Sequence, residues 1–177
     1  RLHKVQQKVF EPPSSEHVAA IIAAAEPHVR VAIALAAYAG LRASEVIGLR
    51  WENVNLKTRM IFVREAITHG EVVLPKSGHQ RPVPIAPALY EVLEATPKAS
   101  REPTAPLSSP GKGRPWSGKG LSGAFLRALR NADVAHARLH DLRHFFITQC
   151  FAAGAGGPTV QRLAGHASVT TTTRYDR

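Results

Sequence analysis

HVRVAIALAAYAGLRASEVIGLRW, residues 28–51, decides the fold. From His28 to Ala39 the residues are apolar almost all round, the composition of a helix set deep in a core rather than laid on a surface. Pro27 suits its first turn and Gly40 its end. Arg42 follows that glycine and opens a short third helix, about Ser44–Leu49, so its direction is fixed rather than left to a mobile surface. Glu45, three residues on, is placed to pair with Arg42 or to cap the helix. In isolation the two are an ordinary intrahelical ion pair.

Outward from this stretch the chain reads as mainly α with a small three-stranded antiparallel β-sheet, an α+β fold. Residues 1–13 are polar and basic and end in Pro12-Pro13, as a linker arriving from a missing N-terminal part would. The start has neither an initiator Met nor the apolar stretch of a signal peptide, and reads as a piece of a longer chain. Ser14 or Ser15 caps a first helix running to about Glu26, with Val18, Ile21 and Ile22 on one face. Beyond Trp51 the pattern changes. Arg59–Ile67, Glu71–Leu74 and Arg81–Pro84 are β-rich runs broken at His69-Gly70 and Ser77-Gly78, which predicts a three-stranded meander. Pro87–Thr96 reads as helix, and residues 97–120 as a long, basic, mobile loop. Three helices follow, about Ser122–Ala132, His140–Ala153 and Pro158–Ala164, and then a Thr run leads to Tyr175.

The composition limits the chemistry. Of 177 residues 44% are hydrophobic, enough for a core and too many for wholesale disorder. No apolar run approaches the ~20 residues of a membrane helix. Lys plus Arg outnumber Asp plus Glu by 23 to 13, a net charge of +10 that suits a polyanionic partner, most simply nucleic acid. Asp occurs only at 133, 141 and 176, and the Glu residues are scattered, poor material for carboxylates converging on two metal ions. A single cysteine, Cys150, excludes a disulfide framework and a Cys-based zinc site, and fits a reducing compartment.

Four short motifs carry the rest. In HDLRH, residues 140–144, a helix start would put His140, Arg143 and His144 on one face, with Leu142, Phe146 and Cys150 anchoring the other. A helix N-terminus with Arg and His makes a phosphate-sized pocket; the plainer reading is a solvated surface turn. Zinc at His140 and His144 is disfavoured because the Glu of a zinc-protease helix is absent and Arg143 would set a cation against the metal. In LPKSGHQRPVPI, residues 74–85, Lys76 sits at a strand end beside a Gly turn, and Arg81 starts the next strand. LAGHASVTTTTRY, residues 163–175, ends a helix at Gly165-His166 and presents Tyr175 after a Thr-rich turn. YAGLRASEV supplies Arg42 and Glu45.

Taken in order, LR-x-SE, K-x-G…R-x-VP, H-x-LRH, L-x-GH and TT-x-x-Y resemble the catalytic domain of the tyrosine recombinases, the phage integrase family, over about Ser14 to the last residue. The resemblance implies a prokaryotic site-specific recombinase or integrase that cuts and rejoins DNA through a 3′-phosphotyrosyl intermediate, without cofactor, metal or ATP. Tyr175 would be the nucleophile, and a phenol with pKa near 10 needs a proton acceptor, a role that His140 would fill. Arg42 and Arg143 would grip the non-bridging phosphate oxygens, and Lys76 would protonate the leaving 5′-oxygen. His166 would donate to the phosphate, Glu45 would orient Arg42, and His144 would lend structural support. Arg81, Lys112, Arg114 and Lys119 are expected at the DNA, with Trp51 in packing and Trp116 against the DNA backbone.

By the same resemblance the partner is double-stranded DNA in a prokaryotic cytoplasm, at the nucleoid and not at a membrane. The whole protein would work as a homotetramer, and this chain alone would be monomeric. The chain ends two residues after Tyr175, which reads as a domain truncated just past its nucleophile and leaves the family's exchanged C-terminal tail in doubt. A type IB topoisomerase uses the same strand chemistry, and a DNA-binding regulator could keep the fold without the reaction. A regulator has no use for the tyrosine; the short motifs, the closeness of LAGH to TTTRY and the small size favour a recombinase.

Overall fold

The computed structural model describes residues 11–74, 80–111 and 113–165. Ser14 is extended and its hydroxyl accepts the His17 N–H at 3.2 Å, starting α1 (Ser15–Ala24), which buries Val18, Ile21 and Ile22. Pro27 opens α2 (Pro27–Tyr38), and eight of its twelve residues are buried. It is the central element, packed by α1, α4 (Pro87–Glu94), α5 (Gly118–Asn131) and α6 (Leu139–Ala152), with the short α3 (Ala43–Gly48) at its end. A final helix, α7 (Gly157–Ala164), joins α6 through a small separate core of Ile147, Val160 and Ala164. Among the described residues no helix is long and apolar enough to cross a membrane.

A three-stranded antiparallel sheet is present, but its strands are not the expected meander. Its order is β1 (Val54–Asn55), β2 (Met60–Val63), β5 (Arg81–Pro84). The run 59–67 is two strands, because the chain turns away at Arg64-Glu65 and β3 (Ala66–Thr68) packs on α3 instead. There Ala66 lies so close to Gly48 that a Cβ on the glycine would stand 3.1 Å from its Cα. His69 and Gly70 both have positive φ, the turn of a tight hairpin that pairs β4 (Glu71–Val73) with β3. β5 returns to β2 in the register Ile61 to Val83 and Val63 to Arg81, side chains that all face inward. Pro82 and Pro84, which cannot donate to a ladder, face outward on this edge strand.

Parts of the run 97–120, expected as a mobile loop, are tied to the core. The Trp51 N–H donates to Ala105 and the Leu107 N–H to Leu49, at 3.1 and 2.8 Å. Trp116 is buried, not set against a DNA backbone: its indole N–H donates to the Ser108 hydroxyl at 2.9 Å and its ring stacks on His28 at 5.6 Å. Trp51 is buried in packing as expected. With Trp116 anchored, Ser117 caps α5 by accepting the Gly120 N–H, and the helix runs through glycines that read as breakers.

Gly40 ends α2 with φ +64°, and a Cβ there would lie 2.3 Å from the Phe146 ring of α6. Any side chain is therefore excluded by conformation and by space together. Gly40→Ala is expected to destabilise the fold by more than about 1 kcal/mol in urea unfolding, whereas Gly118→Ala, where a Cβ meets nothing within 4 Å, should leave the midpoint unchanged or raise it.

Candidate active site

A helix C-terminus leaves its last carbonyls unpaired and carries partial negative charge. At the end of α7 three such carbonyls each take a guanidinium N–H from a different part of the chain. Arg81 of β5 donates through Nε to Leu163 at 2.9 Å, Arg143 of α6 through Nη2 to Ala164, and Arg42, the residue before α3, through Nη2 to Gly165 at 2.7 Å. Gly165 itself has φ +67° and closes the helix. Residues 42, 81 and 143, far apart in sequence, are thereby brought to one place.

Glu45 lies inside this cluster, 1% exposed. Its Oε1 accepts from Arg42 Nη1 at 3.0 Å and Arg81 Nη1 at 2.9 Å; its Oε2 accepts from the Arg42 backbone N–H at 2.8 Å and Arg81 Nη2 at 2.9 Å. Both placements open to it in the sequence, pairing with Arg42 and capping the helix, are realised together. Burial by itself pushes the carboxyl upward, but the Arg81 fork and the Arg42 contacts outweigh it and hold Glu45 below the usual carboxylate range. Arg81 was expected among the DNA-contacting cations. It is instead buried, with three N–H groups on Glu45 and Leu163, and stands behind Arg42. The signal was present: Arg81 and Val83 alternate on the inward face of β5, and an arginine facing a core requires a buried acceptor.

Arg143 is 1% exposed and its Nη1 donates to Gly40, so one guanidinium ties the end of α2 to the end of α7. One turn earlier α6 starts as α3 does: the Arg138 N–H donates to Asp141 Oδ2 at 2.8 Å while Arg138 Nη2 donates to Oδ1 at 3.0 Å. The Asp141 carboxylate is thus turned toward Arg138. His140 and His144 meet edge to face, centroids 4.7 Å apart. Surrounding protein, then Arg143, lowers the His140 pKa. Burial, then His140, lowers that of His144 to about 4. Both shifts favour the neutral ring. His140 keeps an exposed edge, whereas His144 is half-buried.

Lys76, Lys112, His166 and Tyr175 lie outside the described residues. Arg114 and Lys119 are exposed and flank Trp116, which stacks on His28 at the far end of α2 from Gly40 and Arg143. Twelve helical residues, about 18 Å, separate those ends.

The depressed His144 pKa makes stability depend on pH. The unfolded chain takes up a proton near pH 6.5 that the folded chain resists until about 4, so this contribution is complete above 6.5 and is lost as pH falls through that window. The urea midpoint should fall between pH 6.5 and 4, less steeply in His144→Asn, and the His144 ring should titrate near pH 4 by NMR.

The chain matches the family model described as "Phage integrase family" over residues 14–177. It is 30% identical over 141 residues to tyrosine recombinase XerC of Xylella fastidiosa (strain M23), an overlap of 77% of this chain and 44% of that protein. To XerC of Rhodospirillum centenum it is 32% identical over 154 residues, 77% and 38% of the two chains. The backbone superposes on the crystal structure of XerA recombinase with a TM-score of 0.80 at 21% identity, covering 100% of this chain and 62% of that one. On the integrase from mycobacterium phage Brujita the TM-score is 0.70 at 26% identity, with 97% and 57% covered. This chain spans less than half the length of the two XerC recombinases. It has the fold of a tyrosine recombinase catalytic domain, and it belongs to the phage integrase family.

Proposed function

We propose that this chain is the catalytic domain of a site-specific DNA recombinase acting through a 3′-phosphotyrosyl intermediate, preceded by a linker at 1–13. One observation carries the reading: in a member of this family, Arg42 and Arg143 are gathered on successive carbonyls at the end of α7. Arg42 donates to Glu45 and Gly165 through single N–H groups of Nη1 and Nη2, and its side chain is 21% exposed. A guanidinium has five N–H groups, so donors remain on it for a phosphate oxygen.

In the proposed reaction the Tyr175 hydroxyl oxygen attacks a DNA phosphorus, its proton passing to His140, which is neutral and able to accept it. Arg42 and Arg143 take the charge that builds on the non-bridging oxygens, assisted by a hydrogen bond from His166. The P–O bond to the 5′-oxygen breaks and Lys76 gives that oxygen a proton. A 5′-hydroxyl from another strand then attacks the phosphotyrosine and releases the tyrosine. The bond energy stays in the ester, so neither ATP nor a metal enters the scheme. The partner is duplex DNA, gripped with Lys112, Arg114 and Lys119 among the phosphate contacts, and the whole protein would act as a tetramer in a bacterial cytoplasm. The DNA in the solved complex of the Tn1549 transposon integrase, a structure of the same fold, supports this choice of partner.

A nicked suicide substrate tests the reading in the full-length protein. Binding should weaken with salt at a log–log slope of about −0.9 for each phosphate neutralised. Tyr175→Phe should bind DNA within a few-fold of the unsubstituted protein and form no covalent adduct. Arg143→Lys keeps the charge and loses the planar fork, so adduct formation should slow on the order of 10²–10³. A covalent adduct in Tyr175→Phe, or DNA affinity indifferent to salt, overturns the assignment; relaxation of supercoils without strand exchange points to a topoisomerase.

A further inference from the structure

Arg81 has no part in the chemistry proposed above, yet both groups that fix Arg42 rest on it. The first is Glu45. Arg81 forms a parallel fork with that carboxylate, Nη1 to Oε1 and Nη2 to Oε2, both at 2.9 Å, and each oxygen also takes one donor from Arg42. The second is Gly165, whose carbonyl accepts Arg42 Nη2. Its Cα packs directly on the Arg81 guanidinium: an added Cβ would lie 2.8 Å from Nη1 and 2.9 Å from the central carbon. Arg81 Nε holds the same turn by donating to Leu163 at 2.9 Å.

We infer that Arg81 is a positioning residue for strand cleavage, holding Glu45 and the α7 exit so that the Arg42 guanidinium keeps one direction. The inference rests on the recombinase reading. Its physical basis is the shortage of alternatives inside the cluster. Glu45 is 1% exposed, so water cannot replace the two Arg81 bonds. A buried carboxylate left with Arg42 alone either shifts to gain donors or takes up a proton; a protonated oxygen no longer accepts from Arg42 in the same way. Either response turns Arg42. Lysine cannot substitute, because one ammonium cannot span both oxygens and the Leu163 carbonyl as the planar fork does. A displacement of about 1 Å in a charge-stabilising group is enough to cost on the order of 10²-fold in rate.

The test compares the full-length unsubstituted protein, Arg81→Lys, Glu45→Gln and the double variant, each well below its Tm. Two quantities are read: the single-turnover rate of adduct formation on saturating suicide DNA, and the Kd for that DNA. Arg81→Lys should bind DNA within about threefold and cleave roughly 10- to 100-fold more slowly. Because it acts through Glu45, the double variant should cleave within about threefold of the slower single variant. A wild-type cleavage rate in Arg81→Lys overturns the inference. So do losses that multiply in the double variant or fall equally on Kd and rate, the pattern of a purely structural residue. If Arg81→Lys does not fold, Glu45→Gln decides: slowed cleavage with retained binding supports the relay, and an unchanged rate overturns it. Absence of adduct with the unsubstituted protein refutes the recombinase reading itself, a result distinct from all of these.

Discussion

Three guanidinium groups converge on the carbonyl end of α7, around one buried carboxylate, and the rest of the candidate site depends on that convergence. A buried Glu45 is tolerable only with its lone pairs filled, and Arg42 and Arg81 fill them. Three cations against one carboxylate leave positive charge over, even after the helix end offsets part of it. Part of that excess lies on Arg42, which is partly exposed, and the rest stays with the buried Arg81 and Arg143 behind it. The arrangement suits an anion that arrives from outside.

The fold brings these groups together by ending helices at one place. α2 stops at Gly40, whose positive φ and bare Cα let the Phe146 ring of α6 close over it. The Gly40 carbonyl is then within reach of Arg143, which carries the connection on to Ala164. Apolar burial supplies the scaffold through α2 and its neighbours, and among the described residues α7 is seated by a small core of Ile147, Val160 and Ala164 with Phe146, Cys150, Phe151 and Ala155 packed against it. Its last turn is held in addition by hydrogen bonds from three arginines.

What was legible in the sequence was what is local. The apolar run 28–39, the proline before it and the glycine after it mark α2, and Arg42 with Glu45 three residues on marks the start of α3. Strand partners were not legible, because a β-rich run shows which face is apolar but not which run lies beside it. The turn at Arg64-Glu65 and the docking of Ala66 on α3 are tertiary choices. The burial of Trp116 is illegible for a similar reason: His28, on which it stacks, is remote in sequence, and Ser108, which takes its indole N–H, is unremarkable. Arg81 was readable in kind but not in direction, since its partners Glu45 and Leu163 lie 36 and 82 residues away.

Distance along the chain also limits when the site can exist. The Arg42–Glu45 pair spans three residues and can form with α3, whereas Arg42 to Gly165 and Arg143 to Gly40 span 123 and 103. Closing such loops costs entropy before any contact rewards it, so the full cluster requires α6 and α7 already docked on α2. A phosphate gripped as proposed by Arg42 and Arg143 would then lie on guanidinium groups that also donate to the carbonyls of Gly165 and Ala164. A charged phosphate oxygen is a stronger acceptor than a peptide carbonyl. The Arg42 guanidinium that would recognise DNA through its remaining N–H groups is thus the one that also holds the Gly165 carbonyl at the end of α7.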